Sequence, residues 1–152
     1  MMAALVAGTL AMAPLAYAGT CSAGAMRPDG NGQERNAVAA KGVTDTVLSS
    51  IDLAKEPAKV QGRLLRLRKL VVEPGGVVPW HEHANRPALI YIVSGEITEY
   101  ASTCAVPIVH RAGEAATETH ATSHWWKNTG TETVVLLSAD LFPTTSANEH
   151  MM

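Results

Sequence analysis

Two histidines one residue apart are the first place in this sequence where chemistry could occur. His81 and His83 follow a Gly-Gly pair and an apolar run, and in an extended segment residues i and i+2 project to the same side. Two neutral imidazoles on one side of a strand are the beginning of a transition-metal site. A third histidine, His124, follows further strand-rich sequence. The sequence therefore predicts metal ligands at His81, His83 and His124, provided that the fold brings the third to the first two.

The chain around these histidines has the pattern of many short strands. Apolar and β-branched runs alternate with turn signals such as Ser94-Gly95, Arg111–Glu114 and Asn128–Thr131. These signals recur about every 8–12 residues, without an amphipathic helix between them, which is typical of an all-β sandwich or barrel. One strand is predicted over residues 63–72, ending in a turn at Glu73–Gly76.

The predicted strand over residues 63–72 alternates arginine and leucine. We expect Leu65 and Leu67 to face the core, because apolar side chains gain more from burial than charged ones. Arg66 and Arg68 would then lie on a solvated face, and no chemical role is predicted for them.

Length and charge limit the class of protein. The 152 residues suffice for one domain, and 12 basic against 14 acidic side chains leave a net charge of −2. No basic stretch predicts binding to nucleic acid, and no acidic run predicts a disordered tail.

The N-terminus has the composition of an export signal. Residues 1–18 are small and apolar, and Ala16-Tyr17-Ala18 matches the pattern that precedes signal-peptidase cleavage. We expect cleavage there, a periplasmic or secreted mature protein, and no membrane span in it. A buried apolar helix is the alternative. A lipid anchor on Cys21 is disfavoured, because Thr20 stands where a small Gly or Ala is usual.

The mature chain would keep two cysteines, Cys21 and Cys104. An oxidising compartment permits a disulfide between them, but two unpaired cysteines remain the alternative at this point. The predicted organisation is a flexible N-terminal arm over 19–42, a barrel domain over 43–143 and a loose tail over 144–152.

Two groups of residues resemble the motifs of the cupin family. The first group is Gly75, His81-Glu82-His83 and Gly95, and the second is Gly113, His124 and Asn128, each with the expected spacing. The resemblance covers about residues 63–142 and implies a small antiparallel jelly-roll β-barrel. It also implies that the three histidines bind iron, zinc, nickel, copper or manganese, without choosing among these metals.

The chain departs from the cupin motifs at three positions. Thr119 and Ala121 replace a usual Pro and Gly, which affects a turn. Ala88 stands where the first motif has its glutamate, which removes the usual fourth ligand.

Several side chains near His124 or the His pair could compensate for that loss. His120 is a candidate additional ligand or a partner of a ligand, and Glu118 and Glu82 are also near in sequence. Strand alternation should point Glu82 away from the His pair. His110 and His150 lie outside both motifs, and we predict no role for them.

The strand after the His pair predicts the wall of a ligand pocket. Ala88, Ile90 and Ile92 share one strand face, and Trp126 lies two residues after His124 on the same side. If the glutamate position faces inward, these four side chains line an apolar pocket.

Two classes of function are consistent with these residues. The first is a small exported metal-dependent enzyme, an oxygenase, isomerase or lyase whose metal activates oxygen or a carbonyl group. The second is a module that holds a small molecule or a metal without turnover. Analogy at the level of the fold also predicts a homodimer, with the apolar segment Val47–Ile51 as a swapped strand.

Overall fold

The computed structural model describes residues 19–36 and 39–144, and within them it is almost entirely β-structure. The predicted export signal over 1–18 and His150 of the predicted tail lie outside the described residues. No helix in the described part of the chain is long and apolar enough to cross a membrane. The elements are a 3-10 turn (Ala23–Ala25) and strands β1 (Lys41–Asp52), β2 (Arg63–Glu82), β3 (Ala88–Ser94), β4 (Glu96–Ala101), β5 (Ile108–Arg111), β6 (Ala115–Glu118), β7 (Ser123–Lys127) and β8 (Val134–Pro143).

The eight strands form one antiparallel sheet that curls into a nearly closed barrel. The strand order is β5-β4-β7-β2-β8-β3-β6, and β1 pairs with β2 beside this path. This arrangement confirms the predicted all-β, jelly-roll architecture. It also places the ends of β2 and β7 side by side, with His81 directly opposite His124 in the register.

The predicted turn at Glu73–Gly76 is wrong, because β2 runs through it as one strand of 20 residues. A shift in the β1–β2 register marks an irregularity here, and Gly75 adopts a φ of 73°, a conformation that favours glycine. The first half of β2 pairs with β8 and the second half with β7. The irregularity thus lets one strand serve both parts of the barrel wall and carries the His pair to β7.

The main hydrophobic core is formed by the inward-facing side chains of the strands. Every second residue of β2 and β3 points inward, as a strand with one buried face requires. The buried cluster consists of Leu70, Val72, Val78, Ile90, Ile92, Ile97, Trp126, Val134 and Leu136.

The arginine and leucine pattern of β2 has the opposite phase to the predicted one. Arg66 and Arg68 are buried at 7% and 5% exposure, whereas Leu65 and Leu67 are exposed. The reason is Asp140, a buried residue of β8 directly opposite Arg66 in the register. Its carboxylate accepts two hydrogen bonds from Arg66, at 2.9 and 2.7 Å, so the guanidinium is paired rather than solvated.

The N-terminal segment is attached to the barrel by a disulfide. Cys21 and Cys104 are bonded, which decides the alternative that the sequence leaves open. Met26 forms an isolated β-bridge with Cys104, and the Gln33 side chain donates to the carbonyl oxygen of Ala105 at 2.5 Å. Residues 19–36 therefore contact the barrel at several points.

Candidate metal centre

Three histidines and one glutamate converge inside the barrel. His81 comes from the end of β2, His83 follows it, His124 comes from β7 and Glu118 from the end of β6. One potential ligand atom from each lies within 4.8 Å of all the others. The structure thus brings together the three histidines that the sequence predicts, and adds a carboxylate to them.

The separations of these atoms match the edges of a metal coordination shell. Nε2 of His124 lies 3.0 Å from Nε2 of His83 and 3.2 Å from Nε2 of His81. The Glu118 oxygens lie 3.0 Å from His83 Nε2 and 3.2 Å from His124 Nε2. Atoms bound to one metal at about 2.1 Å are about 3.0 Å apart at right angles and about 3.4 Å apart in a tetrahedron. The cluster therefore fits a transition-metal ion.

The opposite ring nitrogens hold two of the three imidazoles, those of His81 and His83, in the tautomer that binds metal. Nδ1 of His81 lies 2.8 Å from the Pro79 carbonyl oxygen, and Nδ1 of His83 lies 2.8 Å from that of Arg86. Since a carbonyl oxygen only accepts, each Nδ1 must carry the hydrogen and donate it. Each Nε2 then keeps a lone pair directed at the centre of the cluster.

Glu118 occupies the place of the missing motif glutamate from a neighbouring strand. In the β3–β6 register it stands directly opposite Ala88, the residue at the motif's glutamate position. The small side chain of Ala88 leaves room beside the histidines that Glu118 fills. The sequence analysis names Glu118, His120 and Glu82 as side chains that could compensate for the lost ligand, and the structure brings Glu118 alone of these to the histidines.

Burial controls the protonation of the cluster. It lowers the pKa of His83 to about 4 and that of His81 well below its ordinary value, and the neighbouring His124 adds to both shifts. Burial raises the pKa of Glu118 to about 7, although His124 acts in the opposite direction. The two histidines are therefore neutral at neutral pH. A divalent cation beside Glu118 would favour its ionised form.

His124 differs from the other two because its partner is a buried carboxylate. Nδ1 of His124 donates to Glu99 Oε1 at 2.5 Å, and Nε2 of His110 lies 2.8 Å from Glu99 Oε2. Burial alone would lower the pKa of His124, but this hydrogen bond and the charges of Glu118 and Glu99 outweigh it and raise the pKa. Burial likewise would raise the pKa of Glu99, but its bonds to His110 and His124 lower it to about 2.

The prediction that His110 has no role is corrected by this network. His110 is 1% exposed and stacks on Trp126, with ring centroids 4.6 Å apart. The sequence carries no motif around His110, since it meets Glu99 through the β4–β5 pairing and not through local spacing.

The remaining candidates lie apart from the cluster. His120 is exposed in the loop before β7 and supplies no atom to the cluster, and Glu82 is exposed as expected from strand alternation.

A cavity of about 20 Å³ adjoins the cluster. It is bordered by His81 and Glu118 and, of the predicted lining residues, by Ile90 and Trp126. Ala88 and Ile92 are buried but do not border this cavity. Such a volume holds roughly one water-sized group.

Comparison with known proteins agrees with this architecture. Residues 68–140 match the family model described as Cupin domain. No curated protein is similar enough in sequence to count as a relative.

Solved structures share the fold at low sequence identity. A predicted oxalate decarboxylase from Thermotoga maritima is 22% identical with a TM-score of 0.55, over 77% of this chain and 97% of that one. A protein with a double-stranded β-helix domain from Klebsiella pneumoniae is 16% identical with a TM-score of 0.54, over 80% of this chain and 90% of that one. The cupin domain of Schizosaccharomyces pombe Cnp3 is 15% identical with a TM-score of 0.53, over 73% of this chain and 68% of that one. The family match covers residues 68–140, slightly less than half of the chain, and the solved structures show that the chain shares their fold.

Proposed function

We propose that this protein is a small metal-dependent enzyme of the oxygenase, isomerase or lyase type. The observation that carries the proposal is the convergence of four potential ligand atoms within 4.8 Å of one another, with neighbouring atoms 3.0–3.2 Å apart. The outer nitrogens of the His81 and His83 rings are each bonded to a carbonyl oxygen. A bound divalent transition metal would supply Lewis-acid or redox chemistry.

The surrounding residues have separate tasks in this proposal. His81, His83, His124 and Glu118 would hold the ion, and three neutral ligands with one carboxylate would leave it a net positive charge. Glu99 keeps the Nδ1 hydrogen of His124 in place. The apolar walls of the adjoining cavity limit the access of water to the site.

A module that binds without turnover is the second candidate. The observation that favours it is the size of the cavity, about 20 Å³, which admits only very small molecules without side-chain movement. The two candidates differ in one outcome, because only an enzyme forms product from the small molecule that it binds.

Export to the periplasm or outside the cell is also part of the proposal. The Cys21–Cys104 disulfide supports it, because structural disulfides persist in oxidising compartments.

A homodimer completes the proposal. We define the outer apolar face as the exposed side chains of β1, β2 and β3 that point away from the barrel interior: Ile51, Leu65, Leu67, Leu89, Tyr91 and Val93. Register pairs connect them, since Ile51 faces Leu65, and Leu67 and Leu89 flank Ala139. Exposed apolar patches of this kind mark interfaces, and β1 is an edge strand open to pairing. A second copy of the chain would cover both.

The metal content of the mature protein, purified without a histidine tag, tests the metal site. We expect near-stoichiometric transition metal by elemental mass spectrometry, a strong loss in His81→Ala/His83→Ala and a reduced content in Glu118→Gln. His120→Ala is the matched control and should keep its metal, because His120 is exposed outside the cluster.

The identity of the bound metal then determines which activity assay should follow. Iron directs the search to oxygen uptake, and zinc or nickel to lyase and isomerase reactions. A wild-type protein that remains metal-free after reconstitution would contradict the proposal.

A further inference from the structure

A buried guanidinium borders the same cavity as the candidate metal ligands. Arg68 of β2 is 5% exposed and faces the cavity together with His81 and Glu118. Its Nη1 pairs with the Asp45 carboxylate. Its Nε–H, however, is one of three buried side-chain nitrogens in the described part of the chain that have no hydrogen-bond partner. Since buried charged donors are costly to leave unpaired, this atom indicates a place for an acceptor that the chain does not supply.

A second donor lies beside it. Ser138 of β8 is 1% exposed, borders the cavity and accepts a hydrogen bond from Arg68 Nη2 at 3.2 Å. Because its oxygen accepts from Arg68, the Ser138 hydroxyl can direct its own hydrogen elsewhere. Arg68 and Ser138 thus offer two donors at one wall of the cavity.

The charged groups around this wall leave one donor for an anion. The guanidiniums of Arg66, Arg68 and Arg86 gather around Asp140, and Asp45 adds a second carboxylate on Arg68. Glu118 is a third carboxylate near these guanidiniums and borders the same cavity. None of the three carboxylates accepts a hydrogen bond from Arg68 Nε–H, so an anion in the cavity would supply the acceptor that this charged donor lacks.

The size and polarity of the cavity limit the kinds of anion that it can bind. The cavity of about 20 Å³ is open to solvent on one side and has room for little more than a carboxylate group, so the rest of an acid bound there would lie at its mouth. A benzene-sized ring, which fits an engineered cavity of about 150 Å³, is excluded. The rest of the wall is largely apolar: Leu70, Val78, Ile90, Trp126 and Leu136. A carboxylate offers two oxygens to two neighbouring donors and suits a guanidinium in particular.

We propose that Arg68 and Ser138 form a binding site for the carboxylate of a small aliphatic acid, placed beside the candidate metal centre. That the acid is the substrate of a metal reaction rests on the proposed function; the carboxylate site itself rests only on Arg68, Ser138 and the cavity they border.

Calorimetric titration of acetate and of acetamide, its neutral isostere, tests the site. Both are titrated into the folded, disulfide-intact protein, once metal-free and once loaded with zinc. We expect acetate to bind wild type and acetamide not to bind. Arg68→Lys, which keeps the charge beside Asp45, and Ser138→Ala should each weaken acetate about tenfold or more, since each removes a charge-assisted hydrogen bond.

Arg66→Lys is the matched control. Arg66 belongs to the same buried arginine group, but its Nε and Nη2 are both bonded to Asp140 and it does not border the cavity. Its acetate affinity should equal that of wild type. The proposal is overturned if wild type does not bind acetate, if acetamide binds equally well, or if Arg68→Lys and Ser138→Ala bind acetate like wild type.

The same titrations separate this site from the proposed metal function. Failure of wild type to load zinc contradicts the metal function, yet acetate binding to the metal-free protein that depends on Arg68 still supports the carboxylate site. Zinc loading with an acetate affinity indifferent to Arg68 overturns the carboxylate site and leaves the metal function intact.

Discussion

Glu99 acts on the candidate metal centre through His124 without belonging to it. Its low pKa of about 2 keeps it ionised at neutral pH, so it accepts hydrogen bonds from His124 on one oxygen and from His110 on the other. A carboxylate behind a metal-binding imidazole fixes the ring and increases its basicity. His81 and His83 have carbonyl oxygens in the same position, so the electrostatic effect is largest at His124.

Replacing Glu99 should therefore weaken metal binding while all four ligands remain. We expect Glu99→Gln to lower metal affinity about 10–100-fold, the range for residues that orient ligands. Competition of the metal-free protein with a chelating indicator for zinc measures the affinity. Glu96→Gln is the control, because Glu96 is exposed and pairs with Arg111 at the surface. Equal affinities in the two variants would contradict the role of Glu99.

At the scale of elements, β2 and β8 are joined by charge as well as by their ladder. Asp140 of β8 is buried and contacts Arg66 and Arg86, which come from β2 and from the loop after it. Burial alone would raise the pKa of Asp140, but the hydrogen bonds from Arg66 and the nearby arginine charges lower it. Asp140 is thus the common counter-charge of the buried arginines.

Removing that charge should destabilise the barrel in a pH-dependent way. Asp140→Asn should lower the free energy of unfolding at pH 7 by about 3–5 kcal/mol, as when one partner of a buried ion pair is lost. Because the folded pKa of Asp140 lies below its unfolded value near 3.9, this stabilisation is present above about pH 4 and is lost as the pH falls further. Urea unfolding of both proteins at pH 7 and at pH 3 measures the difference, which should shrink in acid.

The control for this experiment is Asp52→Asn, since Asp52 pairs with Lys55 at the surface. It should unfold at the same urea concentration as wild type at pH 7. A difference between wild type and Asp140→Asn that stays constant from pH 7 to pH 3 would show that the charge of Asp140 is not its cause.

At the scale of the whole molecule, the disulfide ties the N-terminal segment to the barrel. It bridges 83 positions of sequence, and Cys104 belongs to a small buried cluster with Ala25, Ala101 and Ile108. Cys21→Ser/Cys104→Ser should lower the unfolding free energy by about 2–5 kcal/mol, the usual cost of losing a native disulfide. Urea unfolding under non-reducing conditions measures it, with reduced wild type as the comparison. Identical midpoints for wild type and variant would contradict this expectation.

The outer apolar face predicts the state of association. We expect a dimer of wild type by size-exclusion chromatography with light scattering, and a monomer of Leu67→Lys/Leu89→Lys, because two buried lysines without partners would oppose the interface. Thr131→Lys, a substitution in an exposed loop, should remain dimeric. A monomeric wild type at all concentrations would refute the dimer.

The residues alone were sufficient for the fold class, and together with the cupin resemblance they predicted the three histidines of the cluster, with Glu118 as one of several open candidates for a further ligand. Short apolar runs between turn signals predict a β-barrel, because strand periodicity and turn chemistry are local properties. The spacing of His81 and His83 places both on one side of the strand for the same reason. The cupin motif adds His124 by position.

What the sequence left undecided depends on pairings between distant strands. The alternation of Arg66 and Leu67 has two phases, and only Asp140 across the β2–β8 ladder selects the one that buries the arginine. Glu118 enters the candidate site because β6 pairs with β3 opposite Ala88. These residues become neighbours only when strands that are distant in the sequence pair in a particular register. Short-range sequence patterns do not specify that register.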